Sequence, residues 1–235
     1  MLDTKTNENQ PDLIYEPTAK PFSRRKFFGI VGAGTAIMAT AAACKKDDNN
    51  SNNDGVNLGS GDTGILNYAY ALEQLEAAFY TQVVMTPYSG ISALEMEYMN
   101  DIKNHEVAHR ELFKTALAGN AIVALEVDFS SIDFTSRTSV LGTAKAFEDL
   151  GVTAYNGAGQ LISTTSDGAA YLTLAGKIVS VEARHVALIA DLISNGTFAN
   201  TVDGMGLDGA RTPSEVLGIA GAYIKTKINA SNLPS

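Results

Sequence analysis

The sequence has no tryptophan, one cysteine, three histidines and only 8% aromatic side chains in 235 residues. A single cysteine excludes a disulfide framework and any paired-cysteine metal or redox motif. Few aromatics argue against a β-rich fold or a base-stacking module. Basic residues are in the minority, 17 against 26 acidic for a formal charge of −9. That balance excludes the basic footprint of nucleic-acid binding. What is present suffices for a core: 45% hydrophobic residues exclude a wholly disordered chain, and the length suits one domain with added segments.

The added segments are N-terminal. Ser23-Arg24-Arg25-Lys26-Phe27-Phe28 places a twin arginine before an uncharged Gly/Ala-rich run from Phe27 to Ala43. A charged flank, a modest apolar stretch and a small-residue end are the layout of an export signal, assigned here to residues 1–43. Seventeen residues are short for a spanning helix, which needs roughly 20, although a retained anchor helix is the competing reading. The run ends at Ala41-Ala42-Ala43-Cys44, which resembles the lipobox of bacterial lipoproteins; Ala41 stands where leucine is usual. Lipidation of Cys44 would tether the protein to a membrane without a spanning helix, and ordinary cleavage near Ala43 is the alternative. The segment 44–62, rich in Asn, Asp, Gly and Ser, reads as a flexible tether. Removal of residues 1–43 leaves 12 basic against 22 acidic residues.

The domain over 63–235 reads as all-α. Helical periodicity predicts segments at 63–85, 91–118, 139–165, 168–194 and 213–228, with no period-2 strand pattern. Pro87-Tyr88-Ser89-Gly90 and Ser166-Asp167-Gly168 supply the breaks, and Thr212-Pro213 supplies the last helix start. Glycines 142, 151, 157 and 159 make the third helix the weakest.

The inward stripes are apolar at their ends and acidic in their middles. The first runs Leu66, Ala69, Glu73, Glu76, Tyr80, Val83; the second runs Met99, Ile102, Glu106, His109, Phe113, Ala116. The third runs Leu141, Ala144, Glu148, Gly151, Tyr155, Ala158, Ile162; the fourth runs Tyr171, Ala175, Ile178, Glu182, His185, Ile189, Leu192. Carboxylates on a core face must be paired, neutralised or bound to metal. Four helices each aiming glutamate at one level make a multivalent cation the economical explanation.

Two of the three histidines have glutamate three residues earlier, Glu106-x-x-His109 and Glu182-x-x-His185, so each pair shares a helix face. His105 has Val181 as its counterpart and is assigned off the site. The spacing from Glu73 to Glu148 and from Tyr80 to Tyr155 is 75, and that from Glu106 to Glu182 and His109 to His185 is 76. The chain thus holds a pseudo-repeat of helix pairs. Glu73 and Glu106 lie equally far from the first turn, as do Glu148 and Glu182 from the second, which brings them level in antiparallel hairpins. The 20 residues 119–138 are too many for a tight hairpin and long enough to set the second and third helices parallel.

This pattern resembles the ferritin-like di-iron carboxylate superfamily. The run Leu72-Glu73-Gln74-Leu75-Glu76-Ala77-Ala78-Phe79-Tyr80 followed by Glu106-x-x-His109 is similar, more narrowly, to bacterial ferritin-like domain proteins related to plant desiccation-associated proteins. The resemblance implies a four-helix bundle, made of two hairpins joined by a long crossover, with a short fifth helix. It further implies two metal ions, iron first and manganese second. Glu73 and Glu148 are then terminal ligands, Glu106 and Glu182 bridge, and His109 and His185 bind one ion each. Glu76 is an extra ligand, a proton carrier or a partly solvated neighbour. Tyr80 and Tyr155 either hydrogen-bond the bridging carboxylates, supply electrons, or are buried tyrosines with satisfied hydroxyls.

The expected function is oxidation of Fe(II) by O₂ or H₂O₂, or peroxide removal, in an exported envelope lipoprotein. A manganese catalase-like activity and a non-enzymatic stress or scaffold protein with a structural metal are the alternatives. A lipid-tethered subunit does not suit a 24-subunit cage, though smaller oligomers fit.

Overall fold

The computed structural model describes residues 55–200 and 202–235. The export signal, Cys44 and the tether as far as residue 54 lie outside the described residues. None of the described helices is long and apolar enough to cross a membrane.

Four long helices form two antiparallel pairs. Helix α1 (Gly61–Met85) packs chiefly on α2 (Ala93–Leu117), and α3 (Arg137–Gly159) chiefly on α4 (Ser166–Ile193). Helix α2 begins at a capping box, in which Ser92 Oγ accepts from Glu95 N and Glu95 Oε2 accepts from Ser92 N. The other oxygen of Glu95 accepts from Arg137, in the first turn of α3, at 2.6 and 2.8 Å. Arg137 Nη2 also donates to the carbonyl of Leu192 near the end of α4. The starts of α2 and α3 therefore share one end of the bundle, so these helices are parallel, as the long crossover requires.

The helix limits depart from the sequence expectation in three places. Ser166, Asp167 and Gly168 form the first turn of α4 rather than a break, because Thr165 Oγ1 accepts from Gly168 N and caps the helix. The third helix ends at Gly159, six residues early, and Ser163 turns to Asp62 through its N–H and hydroxyl (2.8 and 2.6 Å). The fifth helix, α5 (Pro213–Ala220), is half the expected length. Beyond it the chain extends into strand β2 (Ile228–Asn229), which pairs in parallel with β1 (Val56–Asn57). Strands of two residues are too short to carry a period. Their pairing means that the tether predicted to reach residue 62 ends before residue 56 in fixed backbone.

No residue of the four inward stripes is exposed. Helix α1 is buried on far more than its stripe, since the crossover and the C-terminal segment cover its outer side. Asn67 Oδ1 accepts from Ile122 N, Asn67 Nδ2 donates to the carbonyls of Leu58 and Asn120, and Gln74 Oε1 accepts from Leu125 N. These two amides pair part-buried backbone of the crossover, and the buried carbonyl of Leu58, that would otherwise lack a partner. Phe79 anchors the same cover, its ring 6.0 Å from Phe129 and 5.9 Å from Phe134.

The glycines of α3 do not break it. Gly157 lies under the segment that leads into α5, where Arg211 N donates to the Thr153 carbonyl. A Cβ at Gly157 would sit 1.8 Å from the Arg211 carbonyl oxygen. Gly157→Ala is expected to destabilise the fold by about 1–3 kcal/mol, the usual cost of overpacking, despite the better helix propensity of alanine. Thermal melting followed by circular dichroism checks this, and an unchanged midpoint would refute the contact.

Candidate metal centre

Each long helix delivers one fully buried glutamate to the middle of the bundle: Glu73 from α1, Glu106 from α2, Glu148 from α3 and Glu182 from α4. The two glutamates of the helical i,i+3 motifs bring His109 and His185 with them. Ligand atoms of Glu73, Glu106, His109 and Glu182 lie within 4.8 Å of one another, as do those of Glu106, Glu148, Glu182 and His185. Glu106 and Glu182 belong to both groups.

The oxygens are divided between the groups. His109 Nδ1 is 3.4 Å from Glu106 Oε2, 3.0 Å from Glu182 Oε1 and 3.4 Å from Glu73 Oε2. His185 Nδ1 is 3.0 Å from Glu106 Oε1, 3.7 Å from Glu182 Oε2 and 3.2 Å from Glu148 Oε2. Each shared carboxylate thus turns one oxygen to each imidazole, and each imidazole has one further glutamate to itself. Neighbouring ligands at right angles on an ion with bonds near 2.1 Å stand about 3 Å apart, which is the spacing found here.

The centre also has unmet demand. Glu73 Oε2, both oxygens of Glu106 and of Glu182, and His109 Nδ1 are buried with no well-directed hydrogen bond, although each lies 3.0–3.7 Å from an atom of an imidazole or carboxylate of the cluster. Orphaned buried polar atoms are costly, and here they all face one another. Oxygen and imidazole nitrogen suit a divalent first-row ion. The residues present fit a pair of such ions.

Electrostatics without an ion show how the protein tolerates the cluster. Burial holds the carboxyls of Glu73 and Glu76 well above the usual range; contact with His109 opposes this for Glu73. Burial, opposed by His185, raises Glu148 to about 8. Burial disfavours charge on the imidazoles, but contact with the carboxylates outweighs it and raises His109 and His185 to about 12. The same contacts overcome burial at Glu182 and hold it down at about 2.

The tyrosines are bonded crosswise. Tyr80 on α1 donates to Glu148 Oε1 at 2.5 Å, and Tyr155 on α3 donates to Glu73 Oε1. Of the alternatives the sequence left open, the structure shows buried tyrosines with satisfied hydroxyls, bonded to the two unshared carboxylates rather than to the shared ones. Each phenol thus spans from one helix pair to the glutamate of the other. Burial, then the adjacent carboxylate, keeps both phenols protonated far above their ordinary range.

Glu76 is buried but its oxygens fall outside both ligand groups. Its Oε1 would be 3.1 Å from a Cβ at Gly151, so the missing side chain makes room for it. His105, assigned off the site, is in contact with it: His105 Nδ1 is 2.9 Å from His185 Nε2, with the planes of the two rings nearly parallel. Comparing helix positions within the repeat hid this contact, because the bond runs between α2 and α4 rather than along either helix. The clue available in sequence was a histidine one residue before a ligand.

Residues 61–195 match the family described as ferritin-like domain. The match covers more than half of the chain, and the chain belongs to that family. No curated protein matches it.

Proposed function

We propose that this ferritin-like protein is a two-metal oxidoreductase, holding two iron ions and passing their electrons to O₂ or H₂O₂. The observation that carries the reading is the division of the Glu106 and Glu182 oxygens between two otherwise separate ligand groups. A merely structural cation needs no such pair of adjoining positions. Two Fe(II) supply one electron each, which together with two protons reduce one H₂O₂ to two waters. The protein holds the ions through Glu73, Glu106, His109, Glu148, Glu182 and His185. Tyr80 and Tyr155 fix the orientation of the unshared carboxylates, and the apolar ends of the stripes exclude bulk water.

The reading is tested on purified protein loaded anaerobically with Fe(II). About two irons per chain are expected, with rapid consumption of H₂O₂ or O₂ on mixing. A Glu106→Ala/His109→Ala variant should consume oxidant no faster than Fe(II) in buffer. Equal rates for that variant and the wild type would overturn the redox assignment. Manganese in protein taken from its own cells, with peroxide disproportionated to O₂, would replace it with catalase-like chemistry. Metal that raises the melting temperature without any turnover would reduce it to a structural role.

The narrower kinship with desiccation-associated proteins rests on the Leu72–Tyr80 run and Glu106-x-x-His109. Twin-arginine export and lipidation at Cys44 are likewise part of the proposal, and they rest on the N-terminal sequence alone. Together they place the protein in the cell envelope. Mass spectrometry of the mature N-terminus tests this; an unprocessed Met1 would overturn it.

A further inference from the structure

His105 has no role in the ligand set, yet among the described residues it makes the one side-chain hydrogen bond that ties His185 from outside that set. The bond dictates where the protons sit. If Nδ1 of His185 offers its lone pair to the centre, Nε2 must carry the hydrogen and donate it to His105 Nδ1. His105 then keeps its own hydrogen on Nε2. Both tautomers are fixed by one contact of 2.9 Å.

The two halves of the bundle are unequal in this respect. The repeat that matches Glu106 to Glu182 matches His105 to Val181, which has no nitrogen to offer. Among the described residues no side chain bonds the outer nitrogen of His109. The His109 side chain is also the more open of the two, 12% exposed against 5% for His185. Partners on the outer nitrogen of a ligating imidazole set its tautomer and orientation and raise its basicity. Losing one typically costs 10–100-fold in metal affinity.

We propose that His105 is a positioning residue, and that through it the position formed by Glu106, Glu148, Glu182 and His185 binds metal more tightly than the position containing His109. The inference rests on the two-metal reading above but concerns the order of filling rather than the reaction. His105 lies on the exposed side of α2, so replacing it leaves no cavity in the core.

The test is anaerobic titration with Co(II), followed by its visible absorption and by calorimetry, on the wild type and on His105→Ala and His105→Asn. The wild type should bind two ions in two resolved steps. His105→Ala should weaken the tighter step about 10–100-fold and leave the other within about threefold. His105→Asn should recover most of the tighter step, because its amide oxygen can accept the same hydrogen. In a His185→Ala background, His105→Ala should have no further effect on the remaining ion. Two unaltered steps in His105→Ala would overturn the inference while leaving the two-metal reading intact. So would a loss that persists in the His185→Ala background, or one that asparagine fails to rescue. A wild type that binds no Co(II) would overturn both.

Discussion

Glu182→Ala, loaded anaerobically with Fe(II) or Co(II), is expected to retain essentially no bound ion, whereas Glu73→Ala and Glu148→Ala each retain about one. The difference follows from the division of oxygens. Glu182 faces His109 with one oxygen and His185 with the other, and Glu106 does the same, so removing either subtracts a ligand from both positions. Glu73 and Glu148 each stand in a single group of four. Four ligand atoms per position leave little surplus; loss of one from a position should lower its affinity by at least the 10–100-fold typical of losing a mere supporting contact. Elemental analysis after gel filtration checks the counts. One ion retained by Glu182→Ala would show that its carboxylate is not shared and would remove the basis for a coupled two-metal site.

Metal binding is expected to expel about four protons per pair of ions and to raise the melting temperature by about 10 °C, more at higher pH. A ligating imidazole must be neutral, and His109 and His185, raised to about 12, hold protons at neutral pH in the metal-free bundle. Glu73, held well above its usual range, and Glu148, raised to about 8, hold two more. Four positive charges entering as two divalent ions would displace these four. Titration calorimetry in buffers of different ionisation enthalpy counts them; a release near zero would mean that the cluster is ionised and unprotonated before metal arrives.

The sign of the pH dependence follows from the same groups. The raised imidazoles contribute stability to the metal-free fold that is complete below pH about 6.5 and is lost as pH rises through about 12. The raised Glu148 contributes stability that is complete below about 4.5 and is lost as pH rises through about 8. Glu182 opposes them only in acid, since its lowered value gives stability that disappears as pH falls through about 2. The metal-free protein should therefore weaken from about pH 5 upward while metal affinity grows. At a thousandfold excess over the dissociation constant, binding is worth about 4 kcal/mol, and 2–4 °C per kcal/mol for a domain of this size gives the stated shift. A gap between the two melting temperatures that narrows with rising pH would contradict this account.

The bundle and the convergence of six side chains were legible because both follow from periodicity. Glutamates in the middle of four apolar stripes have few other places to go, and equal distances from two turns put them at one height. What stayed hidden depends on contacts between elements. The crosswise tyrosine bonds and the His105–His185 contact join residues on different helices, and no spacing along one helix reports them. The near-complete burial of α1 was equally invisible, because its cover comes from irregular chain held by Asn67 and Gln74. The length of α5 was misjudged where apolar residues such as Ile224 and Ile228 continue beyond the helix as packed, non-helical chain.

The tyrosine bonds reach further than the centre. Helix α1 carries both a phenol that reaches into the other hairpin and a carboxylate that receives one from it, and α3 carries the same complementary set. Either hairpin is therefore self-complementary: two copies of α1–α2, related by a twofold axis, would make both bonds and supply two shared and two unshared glutamates. The single chain is built as though such a symmetric pair had been fused through the crossover, with His105 and Glu76 marking where its halves have since ceased to be equivalent.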